Sequence, residues 1–224
     1  MPEQQVHYEI QRSEMVRDQL KARGITDARV LEAFAVLPRE MFVPPQREAE
    51  VYADHPVSIG HGQTISQPYI VALMVQVLDV QPHHTVLEIG AGSGYQTAVL
   101  ARLAGHVYAV ERLPALTEQA MCTLGALNVT NVTLATQDGS LGWPAQGPFD
   151  RIISGAAAPG VPQPWIDQLA DGGKIVLPVG GEDAQTLLVL DRQGNAIRRR
   201  EICDVRFVKL IGKVGWPEET RPRG

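Results

Sequence analysis

The sequence predicts a single α/β domain built on a doubly wound, mainly parallel β-sheet. Three observations predict it. Five short apolar segments of strand length alternate with segments of helical apolar spacing in the middle of the chain. A run of glycines joins the first of these strands to its helix, and acidic residues follow the second and third strands. In such sheets ligands bind at the carboxyl ends of the strands, so the sequence also predicts where the site lies.

The 224 residues divide into three parts without an internal repeat or a low-complexity linker. Residues 1–50 read as an N-terminal helical cap, whose role is either packing alone or one wall of a substrate cleft. Residues 51–215 form the core, with extra C-terminal strands after the parallel sheet. The proline- and charge-rich residues 216–224 are expected to be a flexible tail. A chain of this length can bury one substantial core as a single domain.

Turn and cap residues indicate where the elements begin and end. In the cap, residues 9–23 carry helical apolar spacing that ends at Gly24, a residue type that often caps helix C-termini. Thr26 or Asp27 begins the next helix, and Pro38 closes it. Beyond the third parallel strand, the pattern predicts a helix over 165–170 and strands over 149–158, 174–179, 185–191 and 203–210.

Composition disfavours several functional classes. The net charge of −5 and the lack of a basic stripe argue against a nucleic-acid partner. No apolar run approaches the roughly 20 residues that a membrane span requires, and the polar N-terminus does not read as a secretory signal. Cys122 and Cys203 lack metal-site spacing, and the histidines form no ligand pattern. We therefore expect free thiols, no metal ion and a cytoplasmic protein without a membrane partner.

A glycine-rich turn lies in the segment Val86–Tyr95, which reads as a strand, a turn and the start of a helix. Gly90, Gly92 and Gly94 have no Cβ, so the backbone can turn sharply there and approach a ligand. The dinucleotide fingerprint needs a glycine at the position of Tyr95, and the Gly-Lys-Ser/Thr of a phosphate-binding loop does not follow. A nicotinamide reductase is therefore disfavoured. A tight structural turn in another α/β protein remains an alternative.

Two acidic residues stand at strand ends where a nucleoside would bind. Glu111 lies about twenty residues beyond Gly90, where a carboxylate is expected to accept hydrogen bonds from both ribose hydroxyls. Asp138 and Gly139 follow the third strand; a carboxylate there can accept from an exocyclic amine, and the adjacent N–H can read a ring nitrogen. The structural alternatives are a solvated strand end for Glu111 and an ordinary turn for the Asp-Gly pair.

A second informative stretch, residues 54–68, is rich in glycine, hydroxyl and amide side chains and precedes an apolar helix that begins near Pro68. Ser66 has two interpretations here. It is either the N-cap of that helix or an active-site hydroxyl beside the glycine turn. The chain lacks a G-x-S-x-G elbow with the triad order of a hydrolase, so a serine-nucleophile enzyme is not expected.

Together these motifs resemble those of a known enzyme family. The GxGxG turn, with Glu88 before it, resembles motif I of the Rossmann-like class I S-adenosylmethionine-dependent methyltransferases. The segment Gly60–Pro68 is similar to a signature of the protein-L-isoaspartate O-methyltransferases, and the resemblance extends from Met15 to Trp216. Four positions depart from the family pattern, namely Val71, Ala91, Gln137 and Lys209.

The resemblance implies an S-adenosylmethionine-dependent protein carboxyl methyltransferase. It would methylate the free α-carboxylate of L-isoaspartyl residues, and the ester would then cyclise to a succinimide that reopens partly as normal aspartate. Ser66 would be the catalytic residue. Cofactor contacts are expected from Gln63, Thr64, Ile65, Ser66, Glu88, Gly90, Ala91, Gly92, Ser93, Gly94, Glu111, Asp138 and Gly139. Isoaspartyl peptides or proteins would be the partners, and a monomer is expected.

Two rival functions remain open. A class I methyltransferase of another substrate would keep the same cofactor site, although the Gly60–Pro68 signature disfavours it. A non-catalytic adenosyl-binding module that recognises damaged protein would bind the cofactor without turnover. Methyl-labelled cofactor and paired isoaspartyl and aspartyl peptides separate these functions.

Overall fold

The computed structural model describes residues 2–182 and 184–218. Its helices are α1 (Pro2–Glu14), α2 (Ala28–Val36), α3 (Pro68–Leu78), α4 (Tyr95–Ala101), α5 (Pro114–Ala126) and α6 (Gln163–Asp167). Its strands are β1 (Val57–Gly60), β2 (Gln63–Ile65), β3 (Thr85–Ile89), β4 (His106–Glu111), β5 (Val132–Thr136), β6 (Phe149–Ser154), β7 (Leu169–Gly180), β8 (Gln185–Gln193) and β9 (Ala196–Val205). A π-helix over Met15–Leu20 continues α1, and short 3₁₀ turns include Arg39–Phe42 and Gly139–Leu141.

The strands β3 to β9 form one sheet in the order β5-β4-β3-β6-β7-β8-β9. The first five strands in this order are parallel, and β8 and β9 add an antiparallel hairpin beside β7. Chain order reverses at β3, because β4 and β5 lie on one side of it and β6 and β7 on the other. The predicted doubly wound, mainly parallel fold is confirmed, and the reversal point is where such sheets bind ligands.

The core lies on both faces of this sheet. Val86 of β3 packs in the larger cluster, which gathers side chains of the cap and of helices α2 to α5. Leu87 and Ile89 point to the opposite face, where they pack with Trp165 of α6 and with Leu210 from the C-terminal segment. Because successive side chains of a strand point to opposite faces, a strand covered on both sides is mostly apolar; Glu88 is the charged exception in β3.

The cap has the predicted order of helices, but it starts earlier. Helix α1 begins at Pro2, whereas the apolar spacing predicted a start near residue 9, because few side chains before that point are buried. Gly24 ends the helical run with φ of 92°. Asp27 caps α2, and its side chain accepts hydrogen bonds from the N–H groups of Arg29 and Val30.

Several boundaries differ from the predictions. Strand β6 ends at Ser154 rather than at residue 158, and β7 spans Leu169–Gly180 rather than 174–179. The β1–β2 hairpin was not predicted, since β2 is only three residues long and the turn at Gly60–Gly62 dominates the pattern. Helix α6 ends at Asp167, because the carbonyl of Gln168 accepts a hydrogen bond from Phe149 N at 2.8 Å and draws the chain into β7. Strand β9 ends at Val205 and begins seven residues before the predicted strand, since its largely exposed edge residues show no apolar period.

After β9 the chain folds back across the carboxyl ends of the strands. Ala157 N donates to Val208 O, and Leu210 N donates to Ala157 O, each at 2.8 Å. Trp216 N donates to Leu210 O at 2.7 Å, so the first residue of the predicted tail is held by the domain. The remaining prediction of a flexible tail falls mostly on residues 219–224, which lie outside the described residues. Within the described ranges no helix has both the length and the apolar character that a membrane span needs.

Candidate active site

The site is built on the glycine turn between β3 and α4. Gly90, Gly92 and Gly94 have φ values of 78°, 55° and 85°, a conformation that side chains with a Cβ rarely adopt. The N–H groups of Gly90 and Ala91 donate to the carbonyl of Val110 at 2.8 and 3.1 Å, which ties the turn to the end of β4. The backbone of the turn is therefore open towards the carboxyl edge of the sheet.

Glu111 fixes the geometry beside this turn. One oxygen of its carboxylate accepts from Gly92 N at 2.9 Å, and the other accepts from Arg112 N at 2.7 Å and Leu113 N at 2.9 Å. A carboxylate has about four acceptor sites, so these three hydrogen bonds leave one for a ligand hydroxyl. The alternative of a solvated strand end is not what the structure shows, because Glu111 is only 7% exposed.

A cavity opens between the turn and the C-terminal segment; we call it the nucleoside cavity. It is a narrow cleft with a volume of about 70 Å³. Of the predicted cofactor residues, the structure brings six together in its lining, namely Gln63, Thr64, Gly90, Gly92, Glu111 and Gly139. An adenosyl group therefore fits the residues present: glycine backbone allows close approach, and a fixed carboxylate can accept from a sugar hydroxyl.

A second cavity of about 280 Å³ adjoins the first; we call it the substrate cavity. Ser66, Gln67 and Ile70 line one side of it, and the residues 204–208 line the other. Thr64, Gly155 and Val208 line both cavities, so the two share a wall. The structure therefore offers adjacent sites for two molecules rather than one.

Ser66 faces the substrate cavity and does not cap α3. The N-cap position of α3 is Gln67, whose side chain makes no capping hydrogen bond, so the N-cap interpretation of Ser66 is wrong. Pro68 fills the first helical position and removes one unpaired N–H there. Among the described residues the Ser66 hydroxyl has no hydrogen-bond partner, while its carbonyl accepts from Arg39 at 2.9 Å. The hydroxyl is thus free to meet a ligand.

Glu88 lies beneath the glycine turn, outside the lining of the nucleoside cavity. Its side chain is fully buried and points to α4, where one carboxylate oxygen accepts from Gln96 Nε2 at 3.0 Å and the other has no partner in the described residues. Burial raises the pKa of Glu88 to about 8. The strand alternation that points Leu87 and Ile89 one way points Glu88 the other, so a direct cofactor contact from its carboxylate is not supported.

Four further predicted residues shape the site without lining the nucleoside cavity. Ile65 and Ala91 are buried in the core. Gly94 is the N-cap residue of α4, and a Cβ there would meet that of Ala120 at 3.1 Å. Ser93 lines a different groove, between α5 and the segment after Arg39–Phe42. Ala91, Ser93 and Gly94 belong to the glycine turn itself, whereas Ile65 fixes β2 to the core.

Asp138 is held by the C-terminal segment. Its carboxylate accepts from Lys213 N at 2.8 Å and from Ser140 N at 2.9 Å, and it does not line the nucleoside cavity, whereas Gly139 does. Burial alone would raise the pKa of Asp138, but these N–H donors lower it below its ordinary value. The predicted contact between this carboxylate and an exocyclic amine therefore stays a prediction, in competition with its bond to Lys213.

Sequence reasoning missed the C-terminal wall of the nucleoside cavity. Val208 to Ile211 line it, although their apolar pattern reads only as part of a strand. Of the four departures from the family pattern, Lys209 alone lines this cavity, and its ammonium pairs with Glu182 at 2.6 Å. No cluster of three or more metal-ligating side chains occurs among the described residues.

Comparison with known proteins agrees with this geometry. Residues 10–215 match the model of the family described as protein-L-isoaspartate(D-aspartate) O-methyltransferase. A protein-L-isoaspartate O-methyltransferase of Methanoregula boonei is 52% identical over 92% of this chain and 95% of its own length. Another, from Marinobacter nauticus, is 51% identical over 92% of this chain and 95% of its own length.

Solved structures give the same result. A structure named protein-L-isoaspartate O-methyltransferase aligns with a TM-score of 0.81 and 28% identity, over 91% of this chain and 67% of the other. A Plasmodium falciparum structure, described as a methyltransferase of the same name in complex with S-adenosyl-L-homocysteine, aligns with a TM-score of 0.78 and 27% identity, over 88% of this chain and 97% of the other. The chain therefore belongs to the protein-L-isoaspartate(D-aspartate) O-methyltransferase family and is an enzyme that uses S-adenosylmethionine as methyl donor.

Proposed function

We propose that the two adjoining cavities bring the methyl donor and an L-isoaspartyl α-carboxylate together across their shared wall. The observation that carries this assignment is that Thr64, Gly155 and Val208 line both cavities. Glu111 stands on the nucleoside side of that wall and Ser66 on the substrate side. The product is a methyl ester on the damaged residue, and its cyclisation to a succinimide begins the repair.

The reaction needs alignment rather than a base. An α-carboxylate has an ordinary pKa of about 3.5, so it is ionised at neutral pH and attacks as it is. S-adenosylmethionine supplies the methyl group. What this chain must do is hold the carboxylate oxygen in line with the breaking bond, for which positioning alone can supply several kcal/mol.

Ser66 is placed to provide that alignment. Ser66 lines the substrate cavity and its hydroxyl has no partner among the described residues, so it can donate one hydrogen bond to the substrate carboxylate. A neutral donor orients the oxygen and holds its electron density less strongly than a direct bond to a cation would. Arg206 also lines this cavity, in the segment 204–208 on its other side. Ser66→Ala should therefore lower turnover at saturating peptide; wild-type turnover would remove Ser66 from this role.

The test of the function is methyl transfer to matched peptides. Purified protein is incubated with methyl-labelled S-adenosylmethionine and three peptides of one sequence that carry L-isoaspartate, L-aspartate or D-aspartate. The expected result is a base-labile label on the isoaspartyl peptide and none on the aspartyl peptide. If the protein bound the cofactor but labelled none of the three peptides, the non-catalytic module would be favoured. A base-stable label on any peptide would favour a methyl acceptor other than a carboxylate.

We also infer that the enzyme acts as a monomer on peptides and proteins, without nucleic acid, in the cytoplasm. The site is complete within one chain, because both cavities are lined by residues of the same domain. Cys122 is an exposed free thiol, as is usual in a reducing compartment. Light scattering of the purified protein checks the first inference; a dimer mass would contradict it.

A further inference from the structure

Arg39 is a fully buried cation without a carboxylate partner among the described residues. Its exposed fraction is 0%, and burial lowers its pKa. Burying a guanidinium without a counter-charge is costly, and apolar side chains of similar volume often replace buried ion pairs without loss of stability. A second buried arginine of the cap, Arg12, has the usual arrangement, since it pairs with Glu40 at 2.9 Å. Packing alone therefore does not explain why an arginine is buried at position 39.

The guanidinium of Arg39 connects three segments of the fold. Its Nε donates to Val51 O at 2.7 Å in the segment that ends the cap. Its Nη2 donates to Ser66 O at 2.9 Å, in the loop between β2 and α3. Its Cζ lies over the ring of Tyr95, the first residue of α4, at 4.8 Å from the ring centre. A planar fork that donates in two directions and stacks on a ring is peculiar to arginine.

These contacts connect Arg39 to the loop that carries Ser66 and to the helix that follows the glycine turn. The carbonyl carbon of Ser66 is bonded to the Cα from which its Cβ and hydroxyl extend, so a fixed carbonyl limits where the hydroxyl can lie. Tyr95 directly follows Gly94, the last glycine of the turn. Arg39 lines neither the nucleoside cavity nor the substrate cavity. It can therefore affect methyl transfer only through the backbone and ring that it holds.

From this geometry we propose that Arg39 is a positioning residue for methyl transfer, which sets the Ser66 loop relative to the glycine turn. The proposal rests on the proposed function. Arg39 Nη1 and the Tyr95 hydroxyl are both buried beside this contact; they make no hydrogen bond of good geometry with the described residues, but each is close enough to interact electrostatically with the other side chain. The chain keeps an incompletely satisfied cation at the point where the loop and the turn meet.

The experiment compares Arg39→Lys and Arg39→Met with wild type. Lysine keeps the charge and can reach one carbonyl; methionine keeps the apolar volume and reaches none. We expect kcat at saturating isoaspartyl peptide to fall about tenfold in the lysine variant and about a hundredfold in the methionine variant, as for a displacement of about 1 Å at a reacting group. The dissociation constant of S-adenosylhomocysteine, measured by calorimetry, should stay within about twofold, because Glu111 and the glycine turn remain.

Arg12→Met is the matched control. It removes a buried arginine from the same cap, whose hydrogen bonds go to Tyr52 and Glu40 and not to the Ser66 loop. We expect it to lower the melting temperature while kcat of the folded enzyme stays within about twofold of wild type. Equal losses of kcat in the Arg12 and Arg39 variants would mean that a destabilised cap is the cause, and the proposal would be overturned.

Hydrogen exchange provides a readout that does not depend on turnover. Amides of residues 66–70 should exchange about tenfold faster in both Arg39 variants than in wild type or Arg12→Met, whereas those of β3 should not change. Unchanged exchange in this segment would overturn the proposal even if activity fell. If wild type methylated no isoaspartyl peptide, the proposed function would fail, and faster exchange in the variants would still show that Arg39 holds the loop. A methionine variant that does not fold leaves the lysine variant as the test.

Discussion

Glu111 shows how much of the site one side chain can organise. Its carboxylate accepts hydrogen bonds from Gly92, Arg112 and Leu113, so it holds the glycine turn against the end of β4 while it faces the nucleoside cavity. Ionised acceptors make stronger hydrogen bonds than neutral ones, which suits a residue with two tasks. The preformed turn and the cofactor contact therefore depend on the same charge.

The first prediction concerns Glu111→Gln. The amide places an N–H₂ against backbone N–H donors, so either the Gly92 bond or the Arg112–Leu113 pair is lost. Hydrogen bonds to charged groups contribute about 1.5–3 kcal/mol, so S-adenosylhomocysteine should bind at least about tenfold more weakly by calorimetry. Glu118→Gln, an exposed position on α5, is the control and should bind as wild type does. Wild-type affinity of the Glu111 variant would rule out the ribose assignment.

Glu88 gives the second prediction at this scale, on the pH dependence of stability. Burial raises its pKa from 4.5 to about 8. Below the unfolded value of 4.5, both states carry the proton and the contribution of Glu88 is fully present; it is lost as the pH rises through about 8, because the unfolded chain releases the proton first. Folding is thus coupled to uptake of one proton in this window.

Glu88→Gln isolates this effect, because glutamine can still accept from Gln96 and cannot ionise. The free energy of unfolding is measured with urea at several pH values. Between about pH 5 and about pH 8, the stability of wild type should fall relative to that of the variant. Other titrating groups cancel in the difference between the two proteins. A difference that stays constant across this range would show that Glu88 does not hold a proton in the folded state.

At the scale of elements, the nucleoside cavity depends on a close approach between the turn after β3 and the end of β6. Gly155 N donates to Ile89 O at 2.8 Å. A Cβ on Gly155 would lie 2.9 Å from the carbonyl oxygen of Gly90, a backbone atom that cannot move without moving the turn. Since Gly155 also lines both cavities, the separation of these two elements sets the shape of the shared wall.

Gly155→Ala should therefore push the turn away from β6. We expect weaker binding of S-adenosylhomocysteine, by about tenfold, and a loss of stability of about 1–3 kcal/mol, the usual cost of overpacking. Gly125→Ala is the matched control, since the same substitution in α5 meets no atom within 4 Å and favours the helix. Equal binding by the two variants would show that the approach of these elements does not shape the site.

At the scale of the whole molecule, the site joins parts that are far apart in sequence. The nucleoside cavity takes residues from β2, from the ends of β3 and β4, and from the C-terminal segment at 208–211. A ligand there contacts all of them at once, so its binding free energy adds to the stability of the entire domain. Only the folded chain presents this set, and the unfolded chain does not compete for the ligand.

The fourth prediction follows from this linkage. S-adenosylhomocysteine at about one hundred times its dissociation constant should stabilise the fold by about 2.7 kcal/mol. For a domain of this size that corresponds to a rise in melting temperature of about 5–10 °C, measured by calorimetry. The nicotinamide dinucleotide at the same concentration should have no effect. Equal rises in melting temperature with both ligands would contradict the inference that this glycine turn does not suit a nicotinamide dinucleotide.

Local sequence patterns predicted the parallel sheet, the glycine turn and the position of Glu111, because each depends on interactions between near neighbours or on backbone conformations that only glycine adopts. Resemblance to a known family favoured the active-site interpretation of Ser66 over the N-cap and added Thr64, which periodicity alone could not select. The same reasoning misplaced the limits of α6 and β9, since pairing with distant strands decided them.

The sequence by itself determined the fold class, the strand-end site and the residue types that bind an adenosyl group. Tertiary structure decided which of those residues face the ligand: it turned Glu88 inward, tied Asp138 to Lys213, and brought the segment 208–211 over the cavity. The physical reason is that burial and hydrogen bonding between segments far apart in the chain direct a side chain, and a local pattern carries no information on them.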